Sequence, residues 1–583
     1  MDIRKPGKPG GHKRRVPQTR RDFLKTGLAA STLAGIGSLH PKEVVDAAAK
    51  PKTLLKNGLI VDGSGKPGFV GDVLVSGTRI EAVSEQAISA ECAVVDCSGK
   101  VVAPGFIDMH SHMDWVLPIR GHSELKSPFT RQGITTFVAG NCGFSPGGFR
   151  KNSEYKGKIQ FTDDQDVRMD WDTMEGYFDH LEEVGMSHNL ITCVGHGTTR
   201  ASMRASDPSP LSTDEMQEML ALVEEALDDG ACGVSFGLQY APGIFAPQEE
   251  VTEVARVAAK KGKMVTVHGR AYSCVSGAYK IDLAGKPHNI IALQEMLDVA
   301  RKTGVRLQYS HLMFAGTASW PTCEQCLELL DQAIAEGVDV MIDTYPYHCG
   351  TSVINVVIPP WFQANLPENY HNEEALKRLE GELTLMSTVL GFGYDNIQVT
   401  DARHPQLNQY NGLFLSQIAE KRGMKPFDVA MEISEKSNGR ARVLNHNYSN
   451  MEVIEALIKY PRCLFMTDAT PAPKGVQNPA VSGAFPLLLQ YARDRKLLTL
   501  EEAVRKMTGA NAERAGLKGR GFVKPGYAAD LTVFDWKSVK DNNTLMDTDN
   551  APSGIETVFI NGQRVLANGK VDVEANAGVA FRA

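Results

Sequence analysis

No stretch of this chain gathers lysine and arginine into a phosphate-binding surface, so nucleic acid is not an expected partner. The 62 basic residues stand against 69 acidic ones, a formal charge of -7 that is small for 583 residues. Long apolar runs are missing too. The apolar stretch inside residues 19–37 is too short to cross a bilayer, and no stable membrane anchor is expected. The ten cysteines are scattered, which excludes a disulfide framework. Cys323 and Cys326 form a CxxC with no second pair nearby, and they read as helix residues. No cysteine precedes Cys92, so a lipid-anchored start is not indicated. What remains is an ordinary globular composition on a chain long enough for more than one core.

The N-terminal segment "TRRDFLKTGLAASTLAGIG" (19–37) pairs Arg20 with Arg21, continues through Phe23-Leu24-Lys25, and ends in a weakly apolar Ala/Gly stretch. It looks like a twin-arginine export signal, which implies the twin-arginine export machinery as a partner and a periplasmic location. Residues 1–50 are therefore set apart from the fold.

Residues 51–103 alternate apolar and polar residues between Gly-Ser turns, as short strands do. The same texture returns in residues 501–583, in "GYAADLTVFDW" and "ETVFINGQRVLANGK". The two ends are expected to share a small β-sandwich. Between them, residues 104–500 alternate strands with helices. In "LSTDEMQEMLALVEEALDDGACGVSFG", Ser212 and Glu215 make a capping box, and Met219, Val223 and Leu227 follow helical spacing to Gly230. Further helices are expected to stop near Gly262, Gly304 and Gly337. Eight strand segments can be counted: "GFIDMH", "ITTFVAGN", "ITCVGH", "ACGVSF", "MVTVH", "RLQYSH", "VDVMID" and "RCLFMTD". The fold class is α/β, a (β/α)8 TIM-like barrel with the sandwich attached. The gap between the last two segments predicts an insertion around 345–460.

Polar residues recur at the ends of those strands. His110 and His112 follow the first, and side chains at i and i+2 of a strand point the same way. Cys142 follows the second, His196 the third, His268 the fifth, His311 the sixth and Asp468 the eighth. C-terminal strand ends converge on one mouth in a barrel. Imidazole, thiolate and carboxylate together are the ligand chemistry of Zn2+.

At this point the chain resembles the N-acyl-D-amino-acid deacylases (D-aminoacylases) of the amidohydrolase superfamily. The resemblance rests on "PGFIDMHSHMDW", "GNCGFSP", "VGHGTTR", "GLQYAPG", "TVHGR", "YSHLM", "DTYPY" and "TDAT", and runs from about residue 53 to 570. It implies a metal-dependent amidohydrolase acting on non-peptide C–N bonds of a small-molecule amide. It implies a tighter zinc held by Cys142, His268 and His311. It implies a second, weaker position at His110, His112 and Asp468. Asp468 would be the catalytic base, while His196 and Tyr240 would polarise the carbonyl or contact substrate.

The pattern also departs from that family. A lysine is usual two residues after the sixth-strand histidine, and here Met313 stands there. The expected His-Pro-Arg reads Asn478-Pro479-Ala480, and a Phe-Pro-Arg becomes Phe485-Pro486-Leu487. Arg270 is kept, and Tyr345 remains as a substrate contact. A buried carboxylate without cations is costly. The sequence therefore predicts an apolar wall at Met313 and Leu487, and a neutral or cyclic amide or ester as the alternative substrate. Arg270 or Lys474 could still receive a carboxylate. The non-enzyme alternative is a metal-binding scaffold without catalysis.

Overall fold

The computed structural model describes residues 51–583 except 157–168, 281, 283, 473–474 and 545–546. The proposed export signal and Lys474 lie outside the described residues.

The two chain ends meet in one nine-stranded sheet. Val101–Pro104 runs antiparallel to Leu531–Phe534, with Val102 opposite Val533. Lys52–Ile60 pairs with Phe69–Ser76 along one edge. Along its other edge it takes Ala93–Asp96 first and Val101–Pro104 next, so the sheet forks there. Leu55, Ile60, Val73, Val102, Leu531 and Phe559 form the core of this sheet, drawn from both ends of the sequence.

The middle of the chain builds the barrel. Its strands are β1 (Phe106–Asp108), β2 (Ile134–Ala139), β3 (Asn189–Thr192, continued by Val194–Gly195), β4 (Gly233–Gly237), β5 (Met264–His268), β6 (Arg306–Tyr309), β7 (Val340–Thr344) and β8 (Cys463–Phe465). They correspond one for one to the eight segments read from the sequence. Parallel pairing runs β1-β2-β3 and β3-β4-β5-β6-β7-β8. The ring closes where Met109 N donates to Phe465 O at 3.4 Å. Ile107, Val138, Ile191, Met264 and Leu464 fill its interior. These strands are buried on both faces, which is why they read as continuous apolar runs and not as alternations.

The helices obey their local signals. Thr213–Asp228 carries the Ser212–Glu215 capping box, and Gly304 ends His288–Thr303 in the left-handed region. Cys323 and Cys326 are buried on the helix Thr322–Ala335.

Between β7 and β8 the chain leaves the barrel. Gly350–Val353, Ile397–Asp401 and Arg442–Asn445 make an antiparallel sheet with the last strand in the middle. Helices Glu373–Leu390, Leu415–Arg422 and Pro426–Lys436 pack on it. This insertion has its own core, including Phe362, Leu379, Val399, Ile418 and Val443.

Candidate metal centre

The barrel fixes six side chains at one mouth. His110 and His112 lie just past β1, Cys142 past β2, His268 ends β5, His311 lies past β6 and Asp468 past β8. Cys142 Sγ stands 3.3 Å from His110 Nε2, 3.7 Å from His268 Nδ1 and 3.5 Å from His311 Nε2. Asp468 Oδ1 is 3.3 Å from His110 Nε2 and 3.6 Å from His112 Nε2. Two overlapping groups result: His110, His112, Cys142 and Asp468; and Cys142, His268 and His311. Cys142 belongs to both.

Three of the six sit in strained backbone. Cys142, His311 and Asp468 have φ of 56°, 33° and 51°. Non-glycine residues there cost of order 1–3 kcal/mol each, and such strain clusters at functional sites. The surroundings hold each one in place. Asp343 Oδ1 accepts from His311 N at 2.6 Å, and His110 O accepts from Asp468 N at 2.9 Å. Around Cys142 the "GNCGFSP" and "VGHGTTR" segments interlock. Gly143 O accepts from Thr198 N at 2.9 Å, and Ser145 Oγ accepts from Gly195 N at 2.9 Å. A Cβ on Gly195 would lie 2.4 Å from Gly143 O, so that position needs glycine.

The donor set fits zinc. About a tetrahedral ion with Zn–N of about 2.0 Å and Zn–S of about 2.3 Å, nitrogen and sulfur stand about 3.5 Å apart. The Cys142 separations of 3.3 to 3.7 Å bracket that value. Burial pushes the imidazoles of His110 and His268 well below their ordinary pKa, with neighbouring histidines adding to the effect. Burial also lowers His311. Each of these shifts favours the neutral ring, the form that ligates a metal. Burial pushes the Cys142 thiol well above its ordinary value, with Asp468 reinforcing the shift. A bound cation reverses that sign and takes the thiolate.

The amidohydrolase family model matches residues 93–355 and 415–566. The chain belongs to the amidohydrolase family, on its D-aminoacylase branch. This amidohydrolase is 31% identical over 513 residues to the D-aminoacylase of Alcaligenes xylosoxydans xylosoxydans, covering 88% of this chain and 94% of that one. It is 31% identical over 518 residues to the N-acyl-D-glutamate deacylase of the same organism, covering 88% and 93%. Among solved structures, a D-aminoacylase superposes with a TM-score of 0.76 at 29% identity over 91% of this chain and 99% of that one. The N-acyl-D-glutamate deacylase of Bordetella bronchiseptica, complexed with zinc and a phosphonate inhibitor, gives 0.75 at 28% identity over 92% and 100%. Another D-aminoacylase neighbour, at 28% identity, has a binuclear metal centre with one-metal activation and second-metal attenuation.

In this amidohydrolase five of the six side chains at the mouth, all but His110, line a cavity of about 680 Å³, within the range of small-molecule sites. Tyr240 and Met313 line it. Tyr240 packs against Phe144 and donates from its hydroxyl to Cys142 O at 3.0 Å. Tyr345 lies just behind Met313, its hydroxyl 3.8 Å from the Met313 sulfur. His196 and Arg270 do not line this cavity. His196 is fully buried, with Nε2 2.7 Å from Glu250, which also accepts from Arg200 Nε at 3.1 Å. The Arg270 guanidinium is held by Glu295 and by the carbonyls of Ile244 and Ala246. Leu487 is buried within the helix Ala480–Asp494 and does not reach the wall either. A second, apolar cavity adjoins the first between residues 273–278 and the insertion, sharing Gln239, Val356 and Tyr448 with it.

Three supporting residues escaped the sequence reading. Gln239 Oε1 accepts from His268 Nε2 at 2.8 Å, which leaves Nδ1 facing Cys142. Losing such a partner typically costs 10–100-fold in metal affinity, so Gln239→Leu weakens zinc binding by about that factor in a competition titration. Asp108 ties β1 to β8, accepting from Thr467 N at 2.9 Å, Thr467 Oγ1 at 2.6 Å and His110 N at 3.3 Å. Asp343 accepts from His311 N and from Gln308.

Burial pushes Asp108 up to about 8 and Asp343 up to about 7. The folded chain keeps these protons where the unfolded chain, titrating near 4, has lost them. Their stabilisation is complete below about pH 4 and is lost as pH rises through 7 and 8. In metal-free protein these two carboxyls therefore subtract stability as pH rises across that window. Asp343→Asn flattens its share of the slope in urea melts taken at successive pH values.

Proposed function

We propose that this amidohydrolase hydrolyses the C–N bond of an N-acyl-D-amino acid or a closely related amide, using water activated at a zinc centre. The observation that carries this reading is the Cys142-centred ligand set with Asp468 beside it. When bound, zinc would lower the pKa of a water molecule and polarise the scissile carbonyl. Cys142, His268 and His311 would hold the tighter ion. His110, His112 and Asp468 would offer the weaker position, in keeping with the binuclear centre of the D-aminoacylase relative.

The chain's own residues do the rest. Asp468 is the partly exposed carboxylate among the buried ligands, and it lines the cavity. Oδ1 takes the proton from water and delivers it to the departing nitrogen. Tyr240, Met313 and Phe144 shape the wall beside the ligands and shield the reacting atoms from bulk water. The adjoining apolar cavity suits an apolar acyl group or side chain. The test is hydrolysis of matched N-acyl-D- and N-acyl-L-amino acids by zinc-loaded protein. Cleavage of the D series is expected, and cleavage of esters or cyclic amides alone overturns the substrate class.

Export through the twin-arginine route to the periplasm is the second part of the proposal. Arg20-Arg21 with Phe23-Leu24-Lys25 supports it. Changing both arginines to lysine should leave the protein in the cytoplasm, and unchanged export would overturn it.

A further inference from the structure

The apolar cavity between residues 273–278 and the insertion measures about 110 Å³, and Gln239, Val356 and Tyr448 line both it and the cavity beside the metal ligands. We propose that it is an acyl-chain subsite, which selects an apolar acyl group of about five carbons. This rests on the amide-hydrolase reading above.

The lining excludes charge. Among its described residues there is no lysine, arginine, histidine, aspartate or glutamate. Leu383, Met386 and Leu390 follow each other at helical spacing, so the helix Glu373–Leu390 brings them to one face. Val275, from the loop after β5, packs with them in a small core of their own. Ser273 Oγ donates to Val275 O at 2.6 Å, and Ser276 Oγ accepts from Ala278 N at 3.2 Å, so both hydroxyls are engaged within the loop. A carboxylate or ammonium placed here would lose its hydration with no ion to replace it. An alkyl chain gains about 4-fold in affinity for each methylene buried.

The direction of the scissile bond assigns the cavity to the acyl side. Asp468 groups with His110, His112 and Cys142, whereas His268 groups with Cys142 and His311. Asp468 delivers its proton to the departing nitrogen, so that nitrogen lies toward Asp468. The acyl substituent leaves the carbonyl carbon on the other side, toward His268. Gln239 Oε1 accepts from His268 Nε2 at 2.8 Å, and Gln239 is one of the residues at which the two cavities adjoin. The size then sets the length. An apolar cavity of about 150 Å³ takes benzene, so one of about 110 Å³ takes about four carbons beyond the carbonyl.

The test uses two substrate series on full-length, zinc-loaded protein. N-acetyl-, N-propionyl-, N-butyryl-, N-pentanoyl- and N-octanoyl-D-methionine lengthen the acyl group. N-acetyl derivatives of D-alanine, D-norvaline and D-norleucine lengthen the side chain instead. In the wild type kcat/KM is expected to rise by up to about 4-fold per methylene as far as pentanoyl, and then to level or fall. A278F, in the half-buried loop, and M386W, on the helix, narrow the cavity from its two sides. In each the pentanoyl-to-acetyl ratio of kcat/KM falls at least about 10-fold, a ratio that loss of folded protein does not move. Either variant serves if the other melts early. A flat acyl series in the wild type, or a ratio unchanged in a folded variant, overturns the subsite, and a rise that continues to octanoyl overturns its length. A climb confined to the side-chain series gives the cavity to the amino-acid side chain and overturns the acyl assignment. If no N-acyl-D-methionine is cleaved, the reaction is rejected and calorimetric binding decides the subsite. Binding of the pentanoyl compound that is tighter than that of the acetyl compound in the wild type, and not in A278F, keeps the subsite. Equal binding of the two by the wild type rejects it.

Discussion

Replacing Asp468 by asparagine lowers kcat by about 10²–10⁴-fold, the range that a positioned general base supplies, and leaves most of the zinc in place. The asymmetry comes from where Asp468 sits. Its Oδ1 faces His110 and His112 at 3.3 and 3.6 Å, on the side of the weaker group. The group formed by Cys142, His268 and His311 does not include it. Asparagine keeps the size and the left-handed backbone, which asparagine tolerates well. It has no basic oxygen to take a proton from water. Metal analysis and steady-state kinetics on the same preparation check this. Full turnover by the variant contradicts the role, and complete loss of metal moves Asp468 into the tight site.

Replacing Cys142 by serine removes metal and activity together. Cys142 is the one residue common to both ligand groups among the described residues, so its thiolate contributes to either position. A serine hydroxyl does not ionise in this range and is a poor zinc ligand. Zinc at 1,000 times its Kd adds about 4 kcal/mol to the stability of a protein that binds it only when folded. The wild type should therefore melt at a higher temperature as zinc is added, and Cys142→Ser should not. Because burial holds the metal-free thiol protonated, zinc binding must also release a proton. Affinity in the wild type then rises with pH, and the serine variant loses that dependence. A variant that retains zinc and the thermal shift would remove Cys142 from the centre.

The barrel was legible because its strands are buried on both faces and its helices carry explicit stops. "MVTVH" and "RLQYSH" read as strands from apolar runs, and Gly304 marked the preceding helix end. The gathering of these six side chains was legible because one fold rule sends every strand end to the same mouth. Two kinds of information were not local. His196 and Arg270 occupy the right chain positions, yet their side chains turn to Glu250 and Glu295, acidic partners 54 and 25 residues away in sequence. The cavity-lining residues of the insertion fall in a segment whose register against the barrel is fixed by tertiary packing, so no spacing rule links Arg442 to His311. Met313 lines the cavity, but Leu487 packs inside a helix, because facing the barrel mouth is decided by helix rotation and not by motif order.

The most direct test of the metal-centred account is a zinc titration of chelated protein, followed by hydrolysis of its best N-acyl-amino-acid substrate. The account predicts no turnover without metal and a rise that levels, or begins to fall, near one zinc per chain. Full-rate hydrolysis by metal-free protein, or a zinc-loaded chain that cleaves no amide, would contradict it.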